Sequence, residues 1–236
     1  MKSIAQQSVE ELGGAGSVLV RQKRDHLALD VLLEQLSRSS GTEQQAVLNR
    51  VCRLVFPHAF AEEAVLWPAA RKHLPDGEQL TLQVEEEHQE INQLFSRLEA
   101  STLEDPARRA LIDRIVELLR QDVRDEEDDL LPRLQDKLTD AELRRLGSRW
   151  ELVRRTAPTR PHPVVARRPP GNVLAALPLS LIDRTRDLLD HAARHPRVPA
   201  RTALSTANRG LAHASRRVER VGMMRSGERA QTRFDG

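Results

Sequence analysis

Histidines and carboxylates recur at helical spacing in the first 130 residues of this 236-residue chain. His58 precedes Glu62 by four positions, and Asp122 precedes Glu126 by the same number. Residues four apart lie on one face of a helix, about 6 Å apart along its axis, so each pair could clamp one side of a metal ion. The spacing therefore predicts ligand pairs on two helices.

An internal repeat relates the two pairs. The segment around His58 aligns without a gap with the segment around Asp122, and a Glu-Glu dipeptide, a Leu and a Pro coincide. The segments around His26 and His88 align with each other in the same way. The chain is thus predicted to form two similar helical hairpins, with a site inside the bundle where cations offset buried carboxylates. The candidate ligands are His26, His58, Glu62, His88, Asp122 and Glu126.

Each of these residue types alone has a plainer interpretation. A single helical His is usually a surface or partly buried residue, and Glu62-Glu63 or the acidic run 125–129 alone would be solvated charges. Their conjunction at repeat-equivalent places on four helices is what favours a metal site.

Other potential ligands lack such support. Cys52 precedes His58 by six residues, which is not one helix face, so we interpret it as a small core residue. His73 is interpreted as a surface residue. The four histidines after residue 157, His162 among them, share no ligand spacing with another His or acid and are left out of the site.

The elements that position the candidate ligands are predicted to be helices. Apolar residues at helical spacing and turn or cap residues delimit helices at about 18–36, 42–74, 78–99 and 105–138, and a short fifth one at 139–155. Pro57 and Pro68 should kink or break the second helix. Thr139 and Glu142 form a capping box. Four long helices with short connections predict an all-α, up-down antiparallel four-helix bundle.

Composition divides the chain near residue 150. Residues 151–236 contain 17 Arg, no Lys and 7 acidic residues, a net charge of +10, whereas residues 1–150 carry −8. We predict an N-terminal tail at 1–16, the bundle at 17–155, a Pro/Arg-rich linker at 156–178, a short helical extension at 179–221 and a disordered tail at 222–236.

Composition also excludes several classes of site. One Cys excludes an intramolecular disulfide and four-Cys zinc or iron–sulfur sites, and the absence of Tyr excludes a Tyr ligand or radical. No apolar N-terminal segment resembles a signal peptide, and no apolar run approaches the ~20 residues that span a bilayer. We expect a cytoplasmic protein without a membrane partner.

Four segments carry a family resemblance: RDHLALDVLLEQL, FPHAFAEEAVLWPAARKHL, EEEHQEINQLFSRL and QDVRDEEDDLLPRL. They resemble the hemerythrin / HHE cation-binding family over about residues 17–150. The resemblance implies a four-helix bundle that holds non-haem iron in a dinuclear centre, with His26, His58, Glu62 and His88 at ligand positions. It implies Glu126 as the second carboxylate, with Glu127 as an alternative because some members space this acid one residue later.

The chain departs from the family at Asp122, where a His is usual, and at Asn92, where some members have another His. Asp can coordinate through oxygen, and a carboxylate-rich set favours iron or manganese. Alternatively, the exchange weakens one position and the site is mononuclear. We favour the dinuclear site, and the reduced histidine set argues against reversible O₂ carriage.

Two functions remain open at this point. The first is a non-haem di-iron protein that handles O₂, peroxide or NO as a sensor, store or scavenger, with peroxide removal as its enzymatic variant. The second is a metal-free or mononuclear helical scaffold whose basic segment binds an acidic partner or nucleic acid. Nucleic acid is not favoured, because the basic segment has no aromatic residue before Phe234 and binding would be nonspecific.

Overall fold

The computed structural model describes residues 1–103, 105–194 and 201–234, and this part of the chain is helical without a strand. The first seven helices are α1 Val18–Arg38, α2 Gly41–Ala61, α3 Trp67–His73, α4 Gly77–Ala100, α5 Arg108–Asp125, α6 Leu131–Gln135 and α7 Asp140–Thr156. Helix α2 continues into α3, and α5 into α6, so α1, α2/α3, α4 and α5/α6 form four antiparallel rods. Helix α7 packs across α1 and α2. The predicted four-helix bundle with a fifth helix is confirmed, as is the Thr139–Glu142 capping box.

Two wide π-helical turns interrupt the second and fourth rods at equivalent places, Glu62–Leu66 and Glu126–Leu130. In each turn, the amide five residues on donates to the carbonyl of the first Glu. Pro68 and Pro132 are the second residues of the helices that follow these turns. In a continuous α-helix each proline ring would clash with the carbonyl four residues before it, and the wide turn avoids this clash. Helix α2 runs through Pro57, so the expected break comes at the wide turn instead.

The hydrophobic core is divided into two clusters along the bundle. One lies around Leu33, Val51 and Ile115, and the other around Leu19 and Trp67. On each of the four rods the candidate ligands fall between these clusters. The core is therefore interrupted by a polar layer, which must be satisfied internally because burying uncompensated charge is costly.

The prediction of an N-terminal tail at 1–16 is wrong. Ile4 and Leu12 are fully buried in the second core cluster, because these apolar side chains cover the end of the bundle beside α7. The chain then passes Gly147 of α7 so closely that a Cβ on this glycine would lie 2.1 Å from the carbonyl oxygen of Gly16. Only glycine allows this contact between α7 and the start of α1.

The C-terminal segment is more ordered than its composition predicts. The irregular linker ends at residue 170 rather than 178, because helix α8 (Gly171–Arg194) begins there, contains Pro178, and buries Ala175 and Leu179. Helix α9 (Arg201–Glu219) packs against it. The predicted disorder at 222–236 is wrong over 222–234, where Met224 O accepts a hydrogen bond from Ala166 N; residues 195–200 and 235–236 lie outside the described ranges.

The extension, residues 157–194 and 201–234, lies against the bundle through contacts such as Arg160–Glu99 and Arg168–Glu78. No helix within the described ranges is long and apolar enough to cross a membrane.

Candidate metal centre

The polar layer of the bundle brings all six predicted ligands together. Two overlapping groups offer ligand atoms within 4.8 Å of one another: the first is His26, His58, Glu62 and Glu126, and the second is His88, Asp122 and Glu126. Glu126 belongs to both groups. Glu62 also lies between them, because its Oε1 is 2.9 Å from His58 Nε2 and its Oε2 is 3.7 Å from His88 Nε2. Two carboxylates thus lie at the middle of the layer.

The histidine Nε2 atoms point into this middle. His26 Nε2 is 3.3 Å from His58 Nε2 and 3.2 Å from Glu126 Oε2. His88 Nε2 lies 3.4 Å from Asp122 Oδ1. The same nitrogen of each ring is therefore directed to one small volume, as a shared cation would require.

Each histidine is held from behind by a carboxylate on its Nδ1. Glu127 Oε1 is 2.9 Å from His26 Nδ1, and Glu63 Oε1 is 3.0 Å from His88 Nδ1. Asp25 Oδ2 lies 3.5 Å from His58 Nδ1. Such outer carboxylates fix the tautomer and orientation of a ligating histidine.

The wide turns explain how adjacent glutamates serve two purposes. Consecutive residues of an α-helix diverge strongly around its axis, whereas the wider π turn keeps both acids near the bundle interior. Glu62 and Glu126 face the middle of the layer, while Glu63 and Glu127 hold the histidines of the neighbouring rods. Of the two alternatives left open by the sequence, Glu126 lies at the ligand position and Glu127 behind a histidine.

Several buried polar atoms of the layer lack well-aligned hydrogen bonds, which suits residues that bind a metal ion. Glu62 and Glu126 are 0% and 1% exposed. Both carboxylate oxygens of Glu62, Oε1 of Glu126, Oδ1 of Asp122 and Nε2 of His88 make no well-aligned hydrogen bond within the described chain, although His58 Nε2 lies 2.9 Å from Glu62 Oε1 and His88 Nε2 lies 3.4 Å from Asp122 Oδ1. Buried polar atoms are normally satisfied. Five such atoms directed to one volume fit bound cations.

The shifted pKa values of side chains in the layer also favour a bound cation. Burial and the negative charges of Glu62 and Asp122 raise the pKa of Glu126 to about 8. Burial opposes a charged His26, but Glu126 and Glu127 outweigh it and raise the pKa of His26 to about 9. The layer thus holds protons near neutral pH, and a cation that binds there takes the place of those protons.

Asp122 makes the two halves of the layer unequal. Its repeat equivalent, His58, is supported by Asp25, whereas the equivalent of Asp25 is Glu87, a second acid beside Asp122. Burial and the charge of Asp122 raise the pKa of Glu87. The exchange of His for Asp therefore adds negative charge at this corner.

A tryptophan side chain and a cavity also border the polar layer. Trp150 of α7 is fully buried, with its ring centroid 5.4 Å from that of His58 in an edge-on contact. A cavity of about 310 Å³ lies between α1 and α5, and its wall includes both His26 and Glu127. The rest of the wall combines aliphatic side chains, among them Leu27, with four charged ones: Lys23, Asp30, Arg120 and Arg124.

Sequence reasoning missed several residues around the centre. The outer carboxylates Glu63 and Glu127 are equivalent in the repeat, which was the signal available for them. His162, left out of the site, belongs to neither group of candidate ligands and is buried between Asp183 and Glu219, 2.9 Å from each. No spacing signals that pairing.

Comparison with known proteins agrees with this geometry. Residues 18–134 match the family model of the hemerythrin HHE cation-binding domain. The chain belongs to the hemerythrin HHE family. Of the hemerythrin-like relatives, an uncharacterized hemerythrin-like protein of Schizosaccharomyces pombe is 25% identical over 134 residues, covering 56% of this chain and 66% of that protein.

A DNA nickase of Nostoc sp. is 21% identical over 133 residues, which is 56% of this chain and 37% of that protein. The chain thus spans less than two thirds of the length of either relative. No solved structure gives a significant match.

Proposed function

We propose that this hemerythrin-like protein binds a pair of non-haem iron ions in the polar layer and uses them to handle a small oxidant: O₂, hydrogen peroxide or NO. The observation that carries the proposal is the set of inward-facing, unsatisfied oxygen and nitrogen atoms from four rods. Manganese suits the same oxygen-rich set. Bound iron would supply redox chemistry at this layer.

Residues of the chain would divide the work around the metal. Glu62 and Glu126, each near ligands of both halves, would hold both ions, while His26 and His58 would serve one end and His88 and Asp122 the other. Glu63, Glu127 and Asp25 keep the rings in place. The cavity beside His26 gives a small molecule a path to the layer.

The protein would act as a sensor, store or scavenger of the oxidant, and peroxide removal is the enzymatic form of this proposal. The cavity beside His26 is large enough for such small molecules, and Glu62 and Glu126 are out of contact with bulk water.

Metal analysis tests the proposal. Protein expressed with ample iron should contain close to two iron or manganese ions per chain, with an absorption spectrum that changes on reduction. Glu62→Ala should abolish loading, whereas Glu34→Ala, an exposed acid of α1, should not. Wild-type protein without bound iron or manganese would refute the proposal, and full loading of Glu62→Ala would refute the ligand assignment.

The alternative is a metal-free or mononuclear scaffold whose basic segment binds nucleic acid or another acidic partner. Several arginines of the extension are engaged with the bundle: Arg160 and Arg186 pair with Glu99, and Arg168 pairs with Glu78 and Glu85. These contacts favour docking within the chain. A gel shift at ~150 mM salt tests the alternative, because nonspecific phosphate binding weakens steeply with salt.

A further inference from the structure

The linker between α7 and α8 brings a buried cation to the metal centre. Arg167 is 8% exposed, and its Nη2 donates to the carbonyl oxygens of His162 and Val165 at 2.8 and 3.0 Å. These bonds fix the orientation of the guanidinium within the linker. Its Nη1 lies 3.8 Å from Glu63 Oε1.

The same oxygen of Glu63 lies 3.0 Å from His88 Nδ1. Arg167, Glu63 and His88 therefore form a chain of charged and polar contacts that runs from the extension to one end of the polar layer. Glu63 is 1% exposed, so water screens these interactions little.

The opposite end of the layer has no such cation. Glu127 holds His26 at 2.9 Å, as Glu63 holds His88, but within the described ranges no Lys or Arg lies within ion-pair distance of Glu127. Its side chain is 14% exposed and borders the cavity. Two equivalent carboxylates therefore meet different surroundings.

We propose that Arg167 is a positioning residue of the metal centre, through which the C-terminal extension sets the electronic character of the His88 end. This rests on the proposed iron site. A carboxylate behind a ligating imidazole increases its donor strength, and a guanidinium on that carboxylate withdraws part of the effect. Arg167 thus weakens electron donation from His88 to a bound metal ion, whereas Glu127 strengthens donation from His26 without such opposition.

The positive charge of Arg167 also disfavours the more highly charged state of a nearby ion. Removing it should stabilise ferric over ferrous iron at this end and lower the reduction potential. A lysine at the same place preserves the charge and should restore much of the wild-type potential.

Redox titration of the iron-loaded full chain tests the inference. Arg167→Met should change the ratio of ferric to ferrous affinity on the order of tenfold, the lower end of the range for residues behind metal ligands. Arg186→Met is the matched control, since Arg186 is equally buried and joins the extension to Glu99 without contact to the centre. It should leave the potential unchanged.

A double-mutant cycle then distinguishes an effect of Arg167 that acts through Glu63 from a general loosening of the linker. In a Glu63→Gln background, Arg167→Met should shift the potential no further, because the group through which it acts has lost its charge.

The inference would be overturned if Arg167→Met had the reduction potential of the wild type, or if its potential shifted only as much as that of Arg186→Met. The proposed function would still stand in both cases, provided that the protein binds iron. An equal shift in the Glu63→Gln background would also overturn the inference. Wild-type protein without iron would overturn both.

Discussion

His26 and His58 direct their Nε2 atoms at each other across 3.3 Å, although each ring is also bound by a carboxylate at Nδ1. Two imidazoles in this arrangement can form a hydrogen bond only when one Nε2 lacks its proton. A cation relieves the constraint by binding both unprotonated nitrogens.

The adjacent acids Glu126 and Glu127 should behave differently when truncated. Glu126→Ala removes an oxygen directed at the middle of the layer and should abolish binding of at least one ion. Glu127→Ala leaves the inner atoms in place and releases only His26, so metal affinity should fall about 10- to 100-fold. Metal content after dialysis against a graded chelator measures both, and equal losses would contradict the division of roles.

Asp122→His should restore the usual family ligand and alter the absorption spectrum of the oxidised, iron-loaded protein, because a nitrogen donor replaces an oxygen donor. Removing one negative charge beside Glu87 should also ease the repulsion that raises the pKa of Glu87. Asp113→His, at an exposed site on the same helix, is the control. An unchanged spectrum would show that position 122 is not a ligand.

The cavity beside His26 should control access to the iron. Leu27 lies on its wall and is 61% exposed, so Leu27→Trp should narrow the opening without disturbing the core. Stopped-flow binding of azide to ferric protein should slow on the order of tenfold, because entry then requires movement of a side chain. Val31→Trp, 55% exposed on the same helix but outside the cavity, should bind at the wild-type rate. Equal rates for both variants would exclude this path.

The free energy of unfolding should decrease at alkaline pH because His162 loses its charge. Burial opposes its charge, but Asp183 and Glu219 outweigh burial and raise its pKa to about 10. Since the unfolded value is about 6.5, the stabilisation is complete below about pH 6.5 and is lost as pH rises through about 10. The free energy of unfolding from urea titration should drop by on the order of 2–4 kcal/mol over this range.

His162→Gln should reduce that dependence on pH by the part due to His162 and leave the part due to His26, whose pKa is raised to about 9. His73→Gln, at a half-buried position on α3, should retain all of it. A wild-type free energy that stays flat between about pH 7 and 10 would contradict the assignment of charge to His162.

The inner ligand layer was predictable because it follows from spacing alone. His58 and Glu62 share a helix face, and the repeat supplies the matching positions, so proximity of all six residues follows once the hairpins pair. The roles of Glu126 and Glu127 were not predictable, because they depend on a wide turn whose geometry differs from the α-helix assumed in counting residues. The proline after each pair was a signal of that departure.

Contacts of the extension could not be predicted from the sequence. Arg167 reaches Glu63 because an irregular linker crosses the bundle at one height, and no periodic pattern specifies that path. The opposite net charges of residues 1–150 and 151–236 are compatible with docking of the extension on the bundle, but they specify none of its contacts. Composition did not anticipate the helix through Pro178, where burial of Ala175 and Leu179 outweighs the lost hydrogen bond.

The family match and the folding unit have different boundaries. The match ends at residue 134, yet Ile4, Leu12 and Trp150 are fully buried in the core cluster at one end of the bundle. A fragment cut at 18–134 would expose that apolar surface and lose the ring beside His58. The residues that match the family model are therefore only part of the segment that packs together, and a relative with the matched part alone would lack the counterpart of the Trp150 ring beside His58.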